Sequence, residues 1–403
     1  MSEATTGPPA IEDWATDFDH THPDWAQGAP AIWDDLRDRC PIAHSDRFGG
    51  AWLPTRFEDV SAIARDTEHF TSNDVVVSDF RPEDEPGLGG APPITSDPPF
   101  HGDARQLLLP AFSPKAVAAL ESTTRDVCNE LIDEIIARGS ERVDAAVEYA
   151  QHIPVRVIVH MLGLPQGDGD RFRTFIHNVL ETPGVDHGLE EEETLEYYIQ
   201  GAIEDHRNNP REDLIGYLMD VRIEGEPLSD EHIFGTIALL IIAGIDTTWS
   251  AIGASLWHLG SNAEDRTRLV NEPDLLPTAV EEFLRAYGPV TMARLVKEDV
   301  RVGEADMKAG DWVLLPFPAA NRDPAMFENA DQVVLDRARN RHSAFGLGIH
   351  RCVGSNLARM EMTVALEIWL ERLPDFELAD PSGIRWSTGQ VRGPRLLPMT
   401  VRL

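Results

Sequence analysis

Across most of the chain, apolar residues recur at every third or fourth position. The spacing predicts helices over 116–137, 171–180 and 195–207, each with a polar opposite face. Another helix is expected to start at Ser229, whose side chain can cap the first free amides, with Asp230 and Glu231 behind it, and to run to about His258. The longest nearly uninterrupted apolar run, 233–245, is well short of the ~18 residues a membrane span requires. Short β-branched runs near 50–52, 300–302 and 312–315 predict strands, and Pro/Gly-rich stretches at 81–93, 165–170 and around 383–398 predict loops. The acidic run GLEEEETLEYY reads as a solvated helix start. No internal repeat or low-complexity tract is present. The pattern is mainly α with a minor sheet.

Within this helical pattern the stretch FGLGIHRCVG, 345–354, stands apart. Gly346 and Gly348 free the backbone for tight turns and for close approach of a flat object. Gly354 opens an amphipathic segment in which Leu357, Met360, Val364, Ile368 and Trp369 share a face. Cys352 is thereby expected at a helix N-terminus, where free N–H groups and the positive dipole end favour a thiolate. Zinc would require three or four local Cys or His ligands, and none are spaced for it. A thiolate between glycines suits a metal carried by a planar cofactor.

Phe345, Gly346, Gly348, His350, Cys352 and Gly354 fill every fixed position of F-G-x-G-x-H-x-C-x-G, so this loop resembles the heme-binding loop of the cytochrome P450 family. The resemblance implies heme b (iron protoporphyrin IX), with Cys352 as axial ligand to its iron, Phe345 near the sulfur and His350 at a propionate. Three further stretches agree. In LLIIAGIDTTWSAIG the small Ala243 and Gly244 sit where the helix would have to admit a ligand. The Thr247 hydroxyl can bond the Ala243 carbonyl and bend the helix. Asp246 is a charge in an apolar helix and needs a task or a partner. The matching A-G-x-D-T-T pattern implies proton delivery by Asp246 and Thr247 during oxygen activation. Glu282 and Arg285 match the family's E-x-x-R, and Arg337 would complete a buried structural cluster, with Arg339 and Arg341 as close competitors. The run D-P-P-x-H-x-x-x-R implies that His101 and Arg105 hold propionates, with Arg294 as the remaining propionate arginine.

These matches run in the family's order from about 50 to 393. The resemblance therefore implies one P450 domain over 1–403, a triangular helical prism with a small β region, preceded by an extended segment over 1–25. By family position the substrate pocket would draw on Val76, Leu240, Val290, Met292 and Val391. These lie in the loop 72–82, beside Ala243, in 290–292 and at a turn with Arg392, and the segment 172–185 would also contribute. Such walls imply a hydrophobic organic substrate; Arg392 either meets a carboxylate or is solvated.

The implied reaction joins R–H and dioxygen into R–OH and water with two electrons from outside. No flavin, nicotinamide or iron–sulfur domain fits beside the matched residues. The resemblance therefore implies an external donor, a small acidic ferredoxin with its NAD(P)H reductase. The segment 337–359 holds Arg337, Arg339, Arg341, Arg351 and Arg359 and no acid, in a chain of net charge −34. That suggests a docking patch, although some of these arginines are expected to be internal supports. The overall charge disfavours nucleic acid or anionic lipid as a main partner. Lysine is confined to Lys115, Lys297 and Lys308, which fits either a GC-rich genome or adaptation to high salt. The N-terminal residues carry no basic-then-apolar leader pattern and no membrane anchor. Cys40, Cys128 and Cys352 are too few and too scattered for a disulfide framework, so the expectation is a cytoplasmic protein. Three other readings stay open. One is a peroxygenase fed by hydrogen peroxide, whose relatives replace the acid–alcohol pair. The second is a heme-thiolate protein that binds without turnover, and the third is a helical protein with no heme.

Overall fold

In the computed structural model, described for residues 10–77, 90–182 and 187–403, the other helices are arranged around the helix Asp230–Ser261. Its 32 residues span about 48 Å at 1.5 Å per residue. Ser229 Oγ accepts the His232 N–H at 3.2 Å, and Asp230 and Glu231 complement the positive helix end. The helix passes the expected end near His258 and stops where Asn262 caps the next helix, Ala263–Asn271. By length and composition it could cross a membrane, but most of its apolar window is covered by other helices. A helix apolar all round is stable in water only as a core element. His152–Leu162, Leu276–Tyr287 and Ser355–Arg372 pack against it.

The crossing with His152–Leu162 explains one glycine. A Cβ on Gly244 would lie 2.7 Å from Ile158 Cδ1. Gly244 is small where two helices meet, and it also lines the cavity described below.

Ser355–Arg372 packs along Pro114–Ala137, which starts on a Ser113 cap with proline at its first turn. Leu357, Val364, Ile368 and Trp369 are buried, while Met360 is half-buried. Side chains such as Trp369, Phe283 and Tyr149 are fully buried. At about 1.5–3 kcal/mol for each large apolar side chain, this core outweighs the surface ion pairs, worth about 0–1 kcal/mol each. Glu361, on the same helix, is buried with neither carboxylate oxygen hydrogen-bonded, and burial pushes it up to about 8. Burial thus favours its neutral form.

The principal sheet orders its strands Ile42–Ser45, Ala51–Pro54, Trp312–Pro316, Thr291–Val296, Phe70–Thr71. Trp312–Pro316 is antiparallel to Thr291–Val296, with Val313 opposite Arg294, and parallel to Ala51–Pro54. The pairing sets Met292 and Arg294 beside the cavity described below.

Several expectations need adjustment. Residues 10–25 are not extended: they turn on themselves, bury Phe18 and His20, and lead into the helix Pro23–Arg39. Aromatic contacts among Trp14, Trp25 and Trp33 hold them. The helix expected at 171–180 is Gly169–Ile176 followed by a wider π turn, His177–Glu181. The stretch 383–398 contains the paired strands Arg385–Trp386 and Pro394–Leu396. Of the loop 81–93, only 90–93 falls within the described residues.

Candidate functional site

The cysteine loop is held by its own backbone. Cys352 N–H donates to Phe345 O at 2.7 Å and Gly346 N–H to Ser343 O at 2.8 Å. Gly346 and Gly348 have φ of +72° and +71°, and a Cβ on Gly348 would lie 2.4 Å from Ala64 O. Only glycine fits there, on both conformational and steric grounds. The Arg359 guanidinium sits 4.4 Å over the Phe345 ring and bonds both oxygens of Glu281, at 2.5 and 2.9 Å. It ties the loop to two helices.

Cys352 lies three residues before the first residue of Ser355–Arg372 and is exposed into a cavity. Enclosure pushes its thiol up, against the opposing pull of the Gly354 N–H, Arg105, Arg351 and Arg359. The opposite wall is the long helix, through Leu240, Ala243, Gly244, Thr247 and Thr248. Val290, Met292, Ile94 and Leu239 give the space an apolar side.

Cations gather at one edge. Arg105, Arg294 and His350 line the cavity. Burial lowers Arg294 to about 10, and among the described residues its Nη1 donates only to the adjacent Ala293 carbonyl at 2.6 Å. His350, bonded to Ser72 Oγ at 2.9 Å, is pushed down to about 2 by burial and then by Arg294, His101 and Arg105. His101 stacks edge-on to His350 at 4.4 Å, is itself lowered by burial and by Arg105, and leaves a buried Nε2 without a hydrogen-bond partner among the described residues. It stands behind the wall rather than in it.

On the long helix, Thr247 Oγ1 donates to Ala243 O at 2.9 Å, the i−4 bond anticipated from the sequence. Asp246 points elsewhere. It is fully buried, and Arg395 Nη2 lies 2.7 Å from its Oδ1, a close ion contact whose direction misses hydrogen-bond geometry. Burial pushes Asp246 up to about 6; Arg395 pulls it down and Glu181 pushes it up. Arg395 also bonds Glu181 at 2.5 Å and Ser250 at 3.0 Å, and covers the Trp249 ring. The sequence reading missed Arg395, Glu181 and Ser250. Only Ser250, one helical turn beyond Asp246, carried a signal.

Glu282 and Arg285 are fully buried, with two hydrogen bonds between them at 2.8 and 2.9 Å. Arg337, not Arg339 or Arg341, adds a third at 2.8 Å, and Asn340 Nδ2 and the Val334 N–H also donate to Glu282. Arg285 donates onward to the carbonyls of Asn321, Ala330 and Gln332. Of the five arginines in 337–359, Arg337 and Arg359 are therefore internal supports. Arg339, Arg341 and Arg351 are exposed and make no ion pair among the described residues.

Leu240, Val290 and Met292 line the cavity as expected, but Val76 and Val391 do not. Val391 is buried in a backbone bridge to Val290, and Val76 packs against the apolar core behind the cavity. Phe172 and Phe175 face Tyr198, at 5.3 and 6.1 Å, instead of the cavity. Residues 78–82 and 183–185 of the expected pocket segments lie outside the described residues. Arg392 belongs to a different cavity altogether.

Comparison with known proteins agrees with this arrangement. The family model described as Cytochrome P450 matches residues 187–382. The mycinamicin IV hydroxylase/epoxidase of Micromonospora griseorubida is 35% identical over 357 residues, covering 87% of this chain and 89% of its own. The solved structure of the bacillaene polyketide synthase P450 PksS from Bacillus subtilis superposes with a TM-score of 0.86 at 30% identity, covering 96% of this chain and 100% of that one. CYP109E1 from Bacillus megaterium, solved with testosterone, gives a TM-score of 0.85 at 30% identity over 94% of this chain and 100% of its own.

Proposed function

This chain belongs to the cytochrome P450 family of heme b monooxygenases, and we propose that it oxidises, most simply by hydroxylation, a hydrophobic organic molecule using electrons from a separate protein. The observation that carries the reading is one cavity with the Cys352 thiol on one wall and the Thr247 hydroxyl on the other. The residues fit the cofactor. An exposed sulfur faces an apolar slot, glycines keep the loop backbone bare, and unmatched cations and an orphaned His101 Nε2 gather where a carboxylate edge would rest.

In this reading Cys352 holds the heme iron. Arg105 and Arg294 pair with the propionates, with His350 and His101 behind them. A dianion at that edge would offset the cationic charge that, after burial, depresses His350. Bound there, the heme supplies the activation of dioxygen, one atom of which enters the substrate while the other leaves as water. Leu240, Val290 and Met292 exclude water and orient the substrate. Ala243 admits the reactants beside Thr247. The Thr247 hydroxyl holds a proton at the cavity wall. Asp246, poised near neutrality, supplies protons from its buried position, while Arg395 and Glu181 set how readily it does so. The whole chain 1–403 is taken as one catalytic unit. Three cysteines without disulfide partners accord with a cytoplasmic location.

The role of Thr247 makes a direct test. Thr247→Ala is expected to keep heme and substrate binding while diverting most reducing equivalents to hydrogen peroxide, measured as peroxide formed per NAD(P)H consumed. Thr247→Ser should recover coupling. Unchanged coupling in the alanine variant removes Thr247 from proton handling.

Arg339, Arg341 and Arg351 form the docking face for the electron donor, a small acidic ferredoxin. Arg351 adjoins Cys352 in the chain, so docking there keeps the electron path short. Converting the three to glutamate should slow heme reduction by ferredoxin at least about tenfold at low salt and flatten its ionic-strength dependence. Reduction by dithionite should be unaffected. An unchanged ferredoxin rate would place docking elsewhere.

A further inference from the structure

A second cavity, of about 670 Å³, opens between the end of the long helix and the C-terminal strands and shares no lining residue with the first. Its walls are aromatic. Trp257 meets Tyr287 edge-on at 5.5 Å and Trp386 edge-on at 5.3 Å, and such contacts fix ring orientations. The Tyr287 hydroxyl is held by His258 at 2.8 Å, itself anchored on Asp265 at 2.7 Å. The walls are therefore pre-organised.

Arg392 gives this aromatic box its polarity. Its guanidinium lies 4.0 Å over the Trp386 ring, and its Nε donates to Ala26 O at 2.7 Å. No carboxylate among the described residues pairs with it, and its two terminal nitrogens make no hydrogen bond there. Burial, and then the charge of Arg322, lower it to about 10. A largely enclosed cation without a counter-ion is costly, and in a chain of net charge −34 a guanidinium that no carboxylate among the described residues pairs with is a local exception. A guanidinium with both terminal groups free presents a fork that matches a carboxylate. Glu377, exposed on the cavity's lining, disfavours a second negative charge.

We propose that this cavity binds a planar organic monocarboxylate, with the carboxylate on the Arg392 fork and the apolar body against Trp257 and Trp386. The test is calorimetric titration of the heme-loaded protein with naphthalene-2-carboxylate, first cavity filled by 4-phenylimidazole. One-to-one binding is expected. Naphthalene-2-carboxamide should bind at least about tenfold more weakly, because it loses the charge-assisted pair. Arg392→Gln should weaken the carboxylate to a similar degree. If that variant does not fold, Ser261→Trp, at the exposed rim, should block entry while leaving the Soret spectrum and the phenylimidazole shift unchanged. No binding to the azole-filled protein overturns the proposal. So does equal affinity for acid and amide, or undiminished binding to a folded variant.

Discussion

Replacing Cys352 with alanine is expected to leave a folded protein that gives no thiolate-type Soret band when reduced under carbon monoxide and has no measurable monooxygenase activity. The fold should survive because the sulfur does little structural work. The loop is closed by backbone bonds from Cys352 N–H to Phe345 O and from Gly346 N–H to Ser343 O, which alanine keeps. Arg359 continues to clamp Phe345 and Glu281. The cavity also keeps Arg105, Arg294 and His350, so residual heme uptake without the thiolate signature is compatible with the assignment. Loss of the signature together with a cooperative melt close to that of the parent separates a missing ligand from a missing fold. A thiolate spectrum that persists in Cys352→Ala would end the assignment, because the other cysteines, Cys40 and Cys128, do not line the cavity.

The second large effect is expected far from the chemistry. Glu282→Ala should destabilise the protein by about 3–5 kcal/mol, the range for removing one partner of a buried ion pair. Against a typical total of about 5–15 kcal/mol, that removes roughly a fifth or more of the stability. Fully buried Arg285 would keep its three carbonyl partners but lose the one anion that pairs with it among the described residues, Arg337 would keep only its Glu328 and Asn329 carbonyl partners, and the Val334 N–H would lose its acceptor. A urea melt should show the midpoint falling with the slope unchanged. A change below about 1 kcal/mol would mean the cluster serves placement alone.

The pH response follows from the same carboxylates. Hydrogen bonds and charges from the arginines hold Glu282 below its usual range, and His342 with Arg359 bring Glu281 down to about 2. Folded values below the unfolded ones give stability that is complete above about pH 4.5 and is lost as pH falls towards 2.

What the sequence determined by itself was local or locally spelled. Ser229 caps its helix because an Ncap hydroxyl reaches an amide three residues on. Thr247 bonds Ala243 because a helix places i and i−4 together. Glu282 meets Arg285 because three residues bring them to one face. The cysteine loop is legible because glycine at positive φ, bare backbone and a single sulfur must follow each other in order along the chain. The tertiary structure decided what depends on distant segments arriving at one place. It set Arg395 and Glu181 against Asp246, chose Arg337 over its neighbours, and turned Gly244 towards Ile158 for helix packing. It also withdrew Val76 and Val391 from the cavity and carried Arg392 to a separate one. None of these has a sequence period, because helix and strand periods are set by backbone geometry. Which faces then meet is settled by how the whole core excludes water, and that depends on every segment at once.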